Sequence, residues 1–343
     1  MTGSTSSASG SGPSGPGGYP VRRLRRLRRT PALRRLVAEA HLGVDDLVAP
    51  LFVREGAEAP VPIASMPGEV RHSLDSVVVE AKRLVSLGVP GLILFGVPAH
   101  KDALGSGAYD PDGIVQVALR AVRDAVGDQL VLMADLCLDE YTDHGHCGVL
   151  GPSGEVLNDP TLELYQRIAL AQAEAGADVV APSGMMDGQV AAIRAALDGA
   201  GHDQIAVLAY ASKYASALYG PFRDAVDVTI AGGGDRRGYQ QDPRNSREAL
   251  AEIALDVAEG ADMVMVKPAM TSLDILAWAR PAVDVPLAAY HVSGEFAMVK
   301  AAAAQGWLDG TAVALEQLTV LKRAGADFVL TYFAAEVAEV LGG

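Results

Sequence analysis

Asn245-Ser-Arg-Glu-Ala-Leu-Ala-Glu-Ile-Ala-Leu-Asp-Val-Ala-Glu-Gly260-Ala-Asp-Met-Val-Met-Val-Lys267-Pro268 contains the unit from which the rest of the chain is built. Asn245–Gly260 reads as an amphipathic helix that ends at a C-cap glycine, and Asp262–Pro268 reads as a short buried strand. The same junction recurs: Ala-Gly-Ala-Asp precedes apolar runs at 175–178 and 324–327, and Glu-Gly-Ala-Asp stands at 259–262. Eight such runs occur, at Leu47–Val53, Gly91–Gly96, Leu130–Leu136, Asp178–Ser183, Gln204–Ser212, Asp262–Pro268, Val285–Val292 and Phe328–Ala334. Between them lie helical stretches such as Ser73–Leu87, Pro160–Ala175, Gly294–Gln305 and Thr311–Ala324. Eight βα units predict a single (β/α)8 barrel over 46–343, with its active site at the C-terminal ends of the strands. An open doubly wound sheet is the alternative, but no G-x-G-x-x-G opens a helix after the first strand.

Composition agrees with a parallel α/β core. Half of the 343 residues are apolar and only 5% are aromatic, so Ala, Val, Leu and Ile must fill it. No run reaches the roughly 18 apolar residues of a membrane span, and no secretory signal opens the chain; a cytoplasmic protein without a membrane partner is expected. The net charge of −14 conceals a division. Eight of the 28 basic residues lie within the first 38 positions, where there is no acid, so the remainder sets 20 basic against 42 acidic residues. Residues 1–20, rich in Gly, Ser and Pro, read as a disordered tail, and 21–45 as a basic arm. Nucleic acid is the obvious partner for Arg22-Arg-Leu-Arg-Arg-Leu-Arg-Arg29, but so acidic a body would repel phosphates. Docking of the arm on a neighbouring subunit is the better expectation.

Lysine is scarce, with six in the chain, and two of the six end apolar strands: Ala206-Val-Leu-Ala-Tyr-Ala-Ser-Lys213 and Met263-Val-Met-Val-Lys267. An ammonium in apolar surroundings loses its proton more easily, and two on adjacent strand ends are expected to depress each other. At about 5 Å and an effective dielectric near 20, their repulsion is roughly 3 kcal/mol, or about two pKa units. One amine would then be a nucleophile towards ketones at neutral pH, which is Schiff-base chemistry.

A second constellation follows the third strand: Asp135-Leu-Cys137-Leu-Asp139-Glu-Tyr-Thr-Asp-His144-Gly-His146-Cys147. The chain's only two cysteines, close in one segment, suggest metal or redox chemistry rather than a disulfide. Two thiols favour zinc, while the carboxylate between them admits magnesium. His144 and His146 are either ligands or hydrogen-bonding loop residues. The connection at 213–244 is too long for an ordinary βα loop and reads as a lid, on which Arg223 and Arg236 are suited to clamp carboxylates.

Together these segments resemble the porphobilinogen synthase, or δ-aminolevulinate dehydratase, family from Arg22 onward. The matches include Phe95-Gly-Val-Pro, Lys101-Asp-x-x-Gly-Ser, Ala181-Pro-Ser-x-Met-Met-Asp-Gly and Ser212-Lys-Tyr-Ala-Ser-x-x-Tyr-Gly-Pro-Phe-Arg. Met265-Val-Lys-Pro, Val292-Ser-Gly-Glu and Lys322-Arg-Ala-Gly-Ala-Asp complete them. The resemblance implies a lyase that condenses two 5-aminolevulinate molecules to porphobilinogen for tetrapyrrole (haem) biosynthesis, through imines on Lys213 and Lys267. It implies Arg223, Arg236 and Gln240 on one substrate carboxylate, Ser293 and Tyr332 on the other, and a pocket lined by Asp135, Ser183, Tyr219, Phe222 and Tyr290. It further implies a catalytic Zn2+ or Mg2+ at Cys137, Asp139 and Cys147, an allosteric Mg2+ at Glu252, and a homo-octamer embraced by the arm. A class I aldolase shares barrel and imine but needs one lysine.

Overall fold

The computed structural model describes residues 22–230 and 234–342; the tail expected over 1–20 and part of the expected lid lie outside them. The eight barrel strands are β1 (Leu47–Arg54), β4 (Gly91–Val97), β5 (Val131–Leu136), β6 (Val179–Pro182), β7 (Ala206–Lys213), β8 (Met263–Lys267), β9 (Leu287–His291) and β10 (Phe328–Thr331). Each pairs in parallel with the next, and β10 returns to β1 through Leu47↔Val329 and Val48↔Leu330, which closes the barrel. Each of the eight expected runs overlaps one of these strands; β1, β4 and β7 run one residue further, to Arg54, Val97 and Lys213. The expected helices are present as α2 (Leu74–Ser86), α4 (Asn158–Glu174), α7 (Arg247–Ala258), α9 (Ser293–Ala304) and α10 (Gly310–Ala324).

The recurring Gly-Ala-Asp has a physical role at each barrel seam. Gly176, Gly260 and Gly325 end their helices at φ of +95°, +104° and +120°, where a side chain would be strained. The aspartate two residues later then ties one strand to the strand before it. Asp178 accepts from Leu132 N at 2.7 Å, Asp262 from Val207 N at 2.8 Å and Asp327 from Leu287 N at 2.8 Å. Arg123, Arg194 and Arg280 each face one of these carboxylates. The repeat therefore sets barrel register, and register fixes which residues reach the strand ends.

The sequence reading missed an antiparallel pair, β2 (Val61–Pro62) and β3 (Val70–His72), attached to β1 at Phe52↔Arg71. Two- and three-residue strands carry too little periodicity to be legible. Arg71 anchors this pair to the segment after β7: its Nε donates to Ala225 O at 2.6 Å, and its guanidinium meets Asp227 at 2.9 Å. Residues 22–41 form a separate unit, with a 3-10 turn (Leu24–Arg28) and α1 (Pro31–Leu36), which Thr30 caps through a bond from Leu33 N. Leu24, Leu27 and Leu36 on it are exposed.

Candidate active site

Lys213 and Lys267 end β7 and β8 and are register partners. Both are buried at the C-terminal mouth of the barrel. Both ends of the 213–244 connection hold their backbones: Gln241 N donates to Lys213 O at 3.0 Å, and Tyr214 N to Lys267 O at 2.9 Å. Their side chains have different surroundings. Lys267 Nζ lies 4.2 Å from the Tyr290 ring centre, 4.9 Å from Tyr210, 5.2 Å from Phe222 and 5.4 Å from Tyr219. Burial, followed by the charge of Lys213, brings its pKa down to about 7.

Lys213 departs from the expected symmetry. Burial pulls its pKa down as well, but Cys147, Cys137, Asp139 and Asp135 outweigh burial and hold it above the usual lysine value. Its Nζ also donates to the Ser183 carbonyl. The two amines do not depress each other equally: Asp135 and Asp139 act on both, but at Lys213 the two thiols add to them.

The acidic side of the barrel is formed by Asp135, Cys137, Asp139 and Cys147. Asp135 accepts from Ser183 Oγ at 3.2 Å, and burial raises its carboxyl to about 6 against the pull of both lysines. One ligand atom each from Cys137, Asp139 and Cys147 lies within 4.8 Å of the others, and all three residues are buried. Tetrahedral zinc with bonds of about 2.0–2.3 Å fits such a spacing. Burial raises both thiols, but at Cys147 the hydrogen bond from Cys137 and the charges of Arg236 and Lys213 together outweigh it and lower the pKa. His144 and His146 stand outside this group. His144 meets the Ala103 carbonyl and accepts from His146 N, while His146 Nδ1 meets Tyr239 OH at 3.1 Å.

From the 213–244 connection, Arg236 reaches Asp139 at 2.7 Å and donates to Gly145 O at 2.9 Å. Sequence alone could not separate this buried arginine from a solvated one. A cavity of about 220 Å3 within the 213–244 connection is lined by Arg223, Arg236 and Gln240. Tyr219, Arg223 and Arg236 also line the much tighter space of about 10 Å3 above the lysines, so these three side chains divide the two spaces. Gln240 Nε2 is buried without a partner among the described residues, as expected of a group aimed at a ligand.

Ser293 and Tyr332 lie beyond the ends of β9 and β10. Ser293 Oγ accepts from Phe222 N at 3.0 Å, and Tyr332 OH meets Tyr290 OH at 3.1 Å. Gly294 packs directly under the Leu218 carbonyl, where any side chain would collide. Glu252 is on the outward α7, half-buried beside a cavity of about 270 Å3 that Asp187 and Glu248 also line, apart from the thiol cluster. Sequence reasoning did not single out Tyr210, Phe95 or Glu140. The first two were strand residues without a polar signal, and Glu140 was one acid in an acidic loop.

A family model described as delta-aminolevulinic acid dehydratase matches residues 21–340. The chain belongs to the delta-aminolevulinic acid dehydratase family. It is 58% identical over 314 residues to the delta-aminolevulinic acid dehydratase of Streptomyces coelicolor, covering 91% of this chain and 94% of that one. The Mycobacterium tuberculosis H37Rv protein of the same name is 58% identical over 311 residues, covering 90% and 94%. Among solved structures, the Toxoplasma gondii ME49 delta-aminolevulinic acid dehydratase (porphobilinogen synthase) in complex with the reaction product porphobilinogen superposes with a TM-score of 0.91. Its identity is 45%, over 93% of this chain and 91% of that one.

Proposed function

We propose that this pocket condenses two molecules of 5-aminolevulinate to porphobilinogen with loss of two waters, through imines on Lys267 and Lys213. The single observation that carries the reading is the pairing of two buried lysines in register on adjacent barrel strands, one with its pKa near 7. An aldolase needs one such amine.

In the mechanism we infer, neutral Lys267 attacks the ketone carbon of one substrate, and the hydroxyl of the resulting carbinolamine leaves as water once protonated. Lys213, kept protonated by its acidic neighbours, must transfer a proton before it attacks; Asp135, with a carboxyl near pH 6 that feels the charge of both lysines, is the group suited to move it. A proton lost from the carbon beside one imine lets that carbon add to the imine carbon of the other substrate; the amino group of this second substrate then displaces the first lysine, and the second lysine leaves by elimination as the ring carbons give up protons to form the pyrrole. Tyr210, Tyr219, Phe222 and Tyr290 exclude water that would hydrolyse the imines. Arg223, Arg236 and Gln240 bind one carboxylate, and Ser293 with Tyr332 the other.

Cys137, Asp139 and Cys147 would hold a metal ion, and two thiol donors favour zinc over magnesium. Such an ion supplies Lewis-acid polarisation and a fixed positive charge to the pocket. Glu252 is proposed as a ligand of a separate allosteric Mg2+, and the arm as the device that joins chains into an octamer. The acidic body counts against nucleic acid as the partner of the arm. Among the described residues, no helix is long and apolar enough to cross a membrane.

Borohydride reduction in the presence of 5-aminolevulinate, followed by peptide mass mapping, tests the reading together with an assay for pyrrole formation. Adducts on both lysines and pyrrole product are expected. An unmodified Lys267 would overturn the assignment.

A further inference from the structure

Neither the imine chemistry nor the thiol cluster uses Glu140, which follows Asp139 in the loop after β5. It is 2% exposed, and neither oxygen of its carboxylate has a hydrogen-bond partner among the described residues. It lines the same tight pocket as Lys213, Lys267 and Asp135. An unpartnered buried carboxylate costs on the order of several kcal/mol, so such a group is retained where something completes it.

No nearby cation of the chain bonds this carboxylate: Arg223 and Lys267 line the same pocket without a hydrogen bond or ion pair to it among the described residues, and the others are engaged elsewhere. Arg236 sits on Asp139, and Lys213 donates to the Ser183 carbonyl. Lys101 Nζ donates to the carbonyls of Val226 and Asp227, at 3.1 and 2.8 Å. The ligand atoms that cluster tightly enough to share a metal ion come from Cys137, Asp139 and Cys147, without Glu140. A cation that enters with the substrate remains.

On the reading given above, the substrate brings one. 5-Aminolevulinate carries its ammonium on the carbon next to the ketone, so a molecule held as an imine on either lysine presents that ammonium within the same pocket. We propose that Glu140 binds the amino group of the substrate and so selects the amino ketone over the bare keto acid. The proposal rests on the proposed function for the identity of the substrate, and on geometry for the residue.

The test compares 5-aminolevulinate with 4-oxopentanoate, the same keto acid without the amino group, in metal-loaded wild type, Glu140→Gln and Glu140→Asp. A charge-assisted hydrogen bond of the usual strength implies that KM for 5-aminolevulinate rises about 10- to 100-fold in Glu140→Gln. The competitive inhibition constant of 4-oxopentanoate should stay within about threefold of wild type, since that molecule has no ammonium to lose. Glu140→Asp should fall between the two proteins for the amino ketone alone. If KM and the inhibition constant rise together, or neither moves, the proposal is overturned; should Glu140→Gln fail to fold, the same split is read in Glu140→Asp. A wild type that forms no pyrrole from 5-aminolevulinate overturns the proposed function and this inference with it, whereas wild-type turnover with an unselective variant overturns the role of Glu140 alone.

Discussion

Lys213 and Lys267 stand side by side as register partners across β7 and β8, yet burial dominates at Lys267 while acidic neighbours dominate at Lys213. The lower amine is the one in the aromatic box. Below pH 7 Lys267 gains a proton and loses its lone pair, so the rate of trapping with borohydride should fall about tenfold for each pH unit below the midpoint. Lys213 contributes to that depression, so Lys213→Met should move the midpoint upward from about 7. Trapping rate at Lys267 against pH, in both proteins, measures it; an unmoved midpoint would mean that burial alone sets the value.

The Arg236–Asp139 pair joins the lid to the thiol cluster, with both side chains almost fully buried. Removing one member leaves the other charge without its partner, at a cost of about 3–5 kcal/mol. Asp139→Ala and Arg236→Met should each lower the urea midpoint accordingly. The double variant should lose less than the sum of the two, because the unpaired charge is then gone.

Gly294 permits the base of the lid to pack on α9. In Gly294→Ala the new methyl would displace the Leu218 carbonyl and loosen the Phe222–Ser293 contact. A stability loss of about 1–3 kcal/mol is expected, together with a raised KM. Gly199→Ala, where open space surrounds the added carbon, serves as the control and should change neither.

Metal retention should follow the thiols. Elemental analysis after gel filtration is expected to find zinc bound to the wild type in proportion to protein, and to find it lost from Cys147→Ala and Cys137→Ala. His144→Ala should keep its zinc, since that ring is engaged with Ala103 O and His146 N.

Deletion of residues 1–36 removes the exposed Leu24, Leu27 and Leu36 but leaves every barrel strand in place. The truncated chain should fold, run as a smaller assembly by light scattering and show reduced activity. If it stays at the wild-type mass, the arm does not assemble the protein; salt-sensitive DNA affinity lost with the arm would favour the rival reading.

The barrel was legible because it is written in a local code. A C-cap glycine, an alanine and an aspartate precede three of the strands, and Asp178, Asp262 and Asp327 each act on the strand that immediately precedes their own. The two lysines were legible for the same reason, since an amine that ends an apolar strand is anomalous within a window of eight residues. The short β2–β3 pair was not, because its stability comes from Arg71 meeting residues more than 150 positions away.

What distinguishes one lysine from the other, or Arg236 from any loop arginine, is likewise held in no single segment. The amine near pH 7 results from burial among four rings contributed by β7, β9 and the 213–244 connection and from the charge of Lys213, and its raised partner from a thiol and carboxylate cluster on β5 and its loop. The barrel, the family and the two lysines that end apolar strands can be read from the order of residues along the chain. Which amine has the lower pKa, where Arg236 rests and that Glu140 is buried without a partner among the described residues come from the packed fold, because dielectric and charge depend on distance in space rather than along the chain.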